Sequence, residues 1–155
     1  MAKVGRASRN ASLKRVETLG NGTATATAKT ITSAESGEVY IIDHNHASAL
    51  TITLPAKKAG AYFKFIFKTD MTANATVVIT SAEDTDGDFE GAILEQITGG
   101  SNADSAMVVC GNHHKLTISD DIDPGSYVEC VCDGSVWIFS GALSVSALGL
   151  AAFSS

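Results

Sequence analysis

The chain has 155 residues, 45% hydrophobic and 18% charged, which suits one domain able to bury a core without disulfides. Alanine, threonine, serine and glycine supply 67 residues (22, 15, 16 and 14), a composition for short strands, tight turns and close subunit contacts that argues against long amphipathic helices. Net charge is −6 but segregated: residues 1–16 carry Lys3, Arg6, Arg9, Lys14 and Arg15 with no acid (+5), leaving six Lys/Arg against 17 acids (−11) in the remainder. No apolar run is long enough for a membrane helix, and no apolar stretch follows the basic N-terminus as in a secretory signal. Arginine without acid also fits a transit peptide, a reading that ranks below an interaction arm.

In chain order, residues 1–22 lack sustained periodicity and end in the turn signal GNG, so they read as an extended basic arm. Alternation begins at Thr23 with TATATAKTIT. Candidate strands follow at 38–42, 50–54, 61–68, 76–80, 89–97, 106–110, 115–119, 126–132 and 136–140, separated by Gly, Asn, Asp and Ser. Short strands at this spacing predict an all-β sandwich or barrel over 23–141. Residues 142–155, ALSVSALGLAAFSS, carry no charge and predict a final strand or a subunit contact, with Leu143, Val145, Leu148, Leu150 and Phe153 as the contact residues.

The stretch Leu50–Lys68 is echoed at Leu116–Asp133: LTIT leads to GAYFKFIFK in one copy, and LTIS leads to GSYVECVCD in the other. Period-two alternation puts Phe63, Phe65 and Phe67 on one face as a core stripe, with Val128, Cys130 and Cys132 in the matching places. Lys64 and Lys68 then correspond to Glu129 and Asp133, and opposite charges facing across paired strands would add about 0.2–1 kcal/mol each. Asp133-Gly134 predicts a two- or three-residue hairpin turn, after which Trp137 and Phe139 share a face. Cys130 and Cys132 project to one face and, with Cys110, read as reduced core thiols made in a reducing cytosol.

EDTDGDFEG at 83–91 resembles a calcium loop, with Asp84, Asp86, Asp88, Glu90 and Glu95 as oxygen donors, but Phe89 stands where such loops need glycine. A solvated acidic turn is the preferred reading. His44 and His46, with Cys110, His113 and His114, would need to converge from distant segments to hold zinc, and polar loop histidines are the simpler expectation. No nucleophile elbow, phosphate loop or placed Cys-His pair occurs, so no catalytic residues, metal or cofactor are assigned. The arm's spacing suits either phosphates or acidic grooves on a protein; the lack of interleaved aromatics disfavours nucleic acid, and folding onto a protein surface is preferred.

LTITLPAKKAGAYFKFIFKTD and KLTISDDIDPGSYVECVCDGSVWIFSG resemble head decoration (cement) proteins of tailed bacteriophages and, more distantly, β-rich modules of their fibres. Ile52, Leu54, Pro55, Gly60, Phe63 and Phe65, then Gly125, Val128, Cys132, Asp133, Gly134, Trp137 and Gly141, carry the likeness over about residues 38–141. The resemblance implies an antiparallel, jelly-roll-like sandwich that forms trimers. It implies a non-enzymatic virion protein made in the host cytoplasm, sitting on the outer capsid surface and stabilising it by binding the major capsid protein across neighbouring subunits. Lys3, Arg6, Arg9, Lys14 and Arg15 are then the expected capsid-binding residues. A receptor- or glycan-binding fibre module is the alternative, and a cupin-like metal enzyme ranks third.

Overall fold

The computed structural model describes residues 15–22, 28–72, 74–98 and 104–155. Its strands are β1 (Val16–Gly22), β2 (Lys29–Thr30), β3 (Val39–His44), β4 (Leu50–Thr53), β5 (Tyr62–Phe67) and β6 (Val77–Thr80). They continue with β7 (Phe89–Ile97), β8 (Ser105–His113), β9 (Lys115–Ile118), β10 (Tyr127–Cys132), β11 (Trp137–Val145) and β12 (Ala151–Ser154). One single-turn 3-10 helix spans Ser33–Glu35. The strands form two facing sheets, β1-β3-β5-β10-β11-β7-β8 and β12-β9-β6-β4-β2, and the fold is the expected all-β sandwich.

Both sheets are mixed, where antiparallel pairing was expected throughout. From β1 to β7 successive strands alternate between the sheets, so β1, β3 and β5 are parallel neighbours and so are β2, β4 and β6. This half winds as a flattened coil with two strands per turn. The later strands close it with antiparallel partners, β10 beside β5 and β9 beside β6.

The echo is therefore an arch used twice and not a hairpin. In each copy the first strand lies in the small sheet (β4, β9) and the second in the large one (β5, β10). β5 and β10 pair antiparallel with Lys64 opposite Glu129, and the two charges lie 3.7 Å apart. The second charge pair does not form. Antiparallel pairing sets the end of one copy against the start of the other, so Lys68 binds Asp43 at 2.7 Å instead. Asp133 turns into its own hairpin, where Oδ1 accepts the amides of Ser135 and Val136. Gly134 (φ 107) supplies the left-handed backbone that this tight turn requires.

The stripe Phe63, Phe65 and Phe67 is buried as expected, as are Val128, Cys130 and Cys132. All three cysteines are unpaired and buried. Tyr40 stacks on Phe65 with centroids 5.6 Å apart, Trp137 tilts against Phe63 at 5.7 Å, and Phe89 meets Phe139 at 4.6 Å. Each fully buried aromatic of this kind contributes roughly 1.5–3 kcal/mol by transfer from water.

Two boundaries differ from expectation. Residues 16–22 are not arm: they form β1, paired parallel with β3, and only Leu19 is buried. A strand held by backbone pairing at a sheet edge shows no alternation to read. The sequence after 141 completes β11 and supplies β12, which pairs with β9. Of the expected strand from Thr23, residues 23–27 lie outside the described residues and the remainder contains β2.

Gly91 (φ 114) faces inward opposite Phe139, and a β-carbon there would run into the Phe139 backbone. Gly91→Ala is expected to destabilise the domain by roughly 2–4 kcal/mol, combining overpacking with a strained φ, as read by chemical denaturation.

Candidate interaction face

Strand register builds a continuous surface on the outer side of the seven-stranded sheet. One row of side chains runs Thr18, Ile41, Ile66, Tyr127, Ala142, Leu94, Met107 across all seven strands. The next runs Val16, Val39, Lys64, Glu129, Ser140, Ala92, Val109. A third runs Tyr62, Val131, Ile138, Glu90, Gly111. The large apolar side chains that stay exposed among the described residues are Val16 (63%), Met107 (57%), Val109 (69%), Val131 (42%) and Ile138 (39%), and all five lie on this face. A solvated sheet face ordinarily alternates to polar residues, so this one departs from the rule.

At its centre is a compact polar network. Glu129 accepts the Tyr62 hydroxyl at 2.8 Å and the Ser140 hydroxyl at 3.4 Å, beside Lys64. The Lys64 ammonium also lies 4.1 Å from the centroid of the Tyr127 ring. Burial, reinforced by the bond to Glu129, pushes the Tyr62 phenol up to about 12, so it stays a neutral donor. Sequence reading missed this face, although consecutive apolar residues in MVV, ECVC and VWIF mark strands apolar on both sides.

Of the expected capsid-binding residues, Lys3, Arg6, Arg9 and Lys14 lie outside the described residues. Arg15 begins the described chain at the β1 edge of the sheet, its side chain mostly exposed and 3.3 Å from the buried Glu38. Glu17, Glu35 and Glu38 converge here with carboxylate oxygens within 4.8 Å of one another. Their cation is internal: Lys29 Nζ lies 2.7 Å from both Glu17 and Glu35. Burial opposes the Lys29 charge, but those two hydrogen bonds outweigh it and hold the ammonium above its ordinary value. The bond to Lys29, with that from Thr32, pulls Glu35 down to about 2.

The expected oligomer contacts are placed differently. Leu143 and Val145 are core residues, 1% and 0% exposed, because β11 continues to Val145 with these side chains turned inward. Leu148, Leu150 and Phe153 are partly buried against the same core, and Phe153 meets Phe139 edge-on at 5.8 Å. Glu95 fixes this segment from inside the fold by accepting the amides of Gly149 and Ala151 at 2.7 and 2.6 Å.

The acidic loop is neither a calcium cage nor a purely solvated turn. Glu95 and Asp88 face the interior, and Asp88 binds Lys57 at 2.6 Å and the Ser81 hydroxyl. Asp84 and Asp86 instead flank His114 at 2.9 and 3.1 Å. The histidines do not assemble. His44 ends β3 while His113 ends β8, five strands apart in the large sheet. At about 4.8 Å per strand that is roughly 24 Å. The Cys110 thiol spends itself on the Phe89 carbonyl, 3.1 Å away.

A cleft of about 310 Å³ opens where β7 and β11 end and β10 begins, lined by Gln96, Thr98, Pro124, Tyr127 and Ser144. Asp123 beside it accepts the Ser144 and Thr98 hydroxyls, which hold its carboxyl below the usual range. Among the described residues no helix is long and apolar enough to cross a membrane. No protein-family model, curated protein or solved structure matches this chain.

His44 is fully buried, and among the described residues neither ring nitrogen has a partner at full hydrogen-bond geometry. Burial therefore holds its pKa below the ordinary value, against a weaker pull from the neighbouring Ser48 and Thr76 backbone. The unfolded chain then takes up the proton first, so stability falls as pH drops below about 6.5. Thermal midpoints measured between pH 7 and pH 5 should decline in the natural protein and decline less in His44→Leu. The carboxylates lowered by ion pairing, Glu35 among them, lose their contribution only at lower pH, below their unfolded values.

Proposed function

We propose that this is a non-enzymatic structural protein of a bacteriophage virion, which decorates the outer capsid surface and stabilises it by binding the major capsid protein across neighbouring shell subunits. The observation that carries this reading is the outer sheet face, on which all five exposed large apolar side chains of the described residues lie. Such a face belongs to a protein that works inside an assembly. Among the residues that carry the phage resemblance, Phe63 and Phe65 are buried in the core and Gly134 takes the positive φ of its hairpin turn. That resemblance implies an oligomer of three copies.

The basic residues Lys3, Arg6, Arg9, Lys14 and Arg15 are the capsid-binding element in this proposal. They precede a body of opposite charge, and residue 15 emerges at the edge of the outer face. Mechanically, decoration needs only buried area. A standard contact removes about 1,600 Å² from water, and repetition over a shell multiplies the energy needed to part its subunits.

The cleft at Gln96, Tyr127 and Ser144 favours a second reading, a receptor- or glycan-binding fibre module, since amide, hydroxyl and aromatic groups converge there. Copy number separates the two: a decoration protein scales with the area of the shell, whereas a fibre module is confined to a few positions per particle.

Removing residues 1–14 should leave a folded body that binds particles poorly, measured by co-sedimentation; undiminished binding would sink the arm's role. Attachment of the complete chain should also weaken as salt rises from low to several hundred millimolar, because exposed ionic contacts are screened beyond about 10 Å at 0.1 M.

A further inference from the structure

The geometry points to a second copy of this chain as the occupant of the outer face, paired across a two-fold axis. This rests on reading that face as a working surface, and it names the partner. Self-pairing is favoured first by charge. Residues 17–155 carry an excess of acid, so two copies repel over most of their surface. On the three side-chain rows described above the charges are Lys64, Glu129 and Glu90, and the first two neutralise one another. The face is where two like-charged bodies can meet at least electrostatic cost.

The pattern is also self-complementary. Lys64 and Glu129 occupy adjacent strands, third and fourth of seven, near the middle of the sheet. An axis lying in the plane of the face, along the strands between β5 and β10, sets each Lys64 over Glu129 of the other copy. The same operation lays Ile66 against Tyr127, Tyr62 against Val131 and Val16 against Ala92, as an isologous contact requires. Small residues at Ala92, Ser140 and Ala142 leave room for two sheets to pack about 10 Å apart. β8, with Met107 and Val109, falls at the rim.

The first two rows overlap on six strands and the third only at Tyr62 and Val131, which at about 4.8 Å by 6.8 Å per position covers roughly 460 Å² per copy. The pair would bury roughly 900 Å², the size of a weak, concentration-dependent contact. Two-fold pairing takes the place of the three-fold arrangement implied by the phage resemblance.

The test is sedimentation of the complete chain over micromolar concentrations, without particles. The natural protein should sediment as a dimer. Lys64→Glu places Glu over Glu across the axis and Glu129→Lys places Lys over Lys, so each alone should dissociate roughly tenfold or more readily. Mixed in equal amounts, the two variants should form a one-to-one heterodimer, because each then meets its opposite charge. Val131→Arg, in the middle of the face, should sediment as a monomer. Thermal unfolding of every variant checks that the fold persists. A monomeric or trimeric natural protein overturns the proposal, and so does a dimer indifferent to all three substitutions or a mixture that fails to pair. Loss of the dimer with particle binding retained would leave the decoration role standing, since that role is read from co-sedimentation.

Discussion

Three phenylalanines at alternate positions of β5 settle which way the large sheet faces, and the other strands take their register from that choice. With Phe63, Phe65 and Phe67 pointed inward, β10 must place Val128, Cys130 and Cys132 inward beside them, and β11 follows with Trp137 and Phe139. A one-residue slip in any of these strands would turn its buried set to water, so register is strongly specified. The same slip would bring buried side chains to the outer face and separate Lys64 from Glu129. Core and outer surface are thus two readings of one pleat.

Buried polar groups then pin the connections. Asp88 enters the interior to meet Lys57, tying the acidic loop to the β4–β5 arch. Glu95 reaches through to the amides before and within β12, which holds the uncharged C-terminal segment to the sandwich. An unpaired charge at such depth would cost several kcal/mol, so these pairings discriminate against alternative loop placements more than they add net stability. The corner of Glu17, Glu35 and Glu38 is arranged the same way: Lys29 lies among carboxylates that would otherwise repel.

Function, on this account, resides in surfaces. The acidic pairs, buried thiols and separated histidines are each engaged in structural roles or held apart by the sheet. The exposed large apolar side chains of the described residues lie on the outer face of the large sheet, and covering it removes apolar area from water at small electrostatic cost. The basic residues before Val16 then remain for a different, oppositely charged partner, so the self-contact and the capsid contact proposed here use separate parts of the chain.

Much of the sandwich could be read from residue order. Period-two alternation located β3 to β10 within a few residues and the start of β11, though not its run to Val145, identified the phenylalanine stripe and predicted the Asp133-Gly134 turn, because side-chain alternation and turn chemistry are local properties. The strand β1 was hidden, since only Leu19 is buried and its order comes from backbone pairing with β3. The uncharged tail posed a similar difficulty: apolar composition alone cannot distinguish a side chain buried in its own core from one awaiting a partner, and Leu143 and Val145 proved to be core. The winding of alternate strands between sheets, and with it the assembly of exposed residues from four strands onto one face, was decided only by tertiary structure. Neighbours across a sheet are set by long-range pairing, and long-range pairing leaves no periodic trace along the chain.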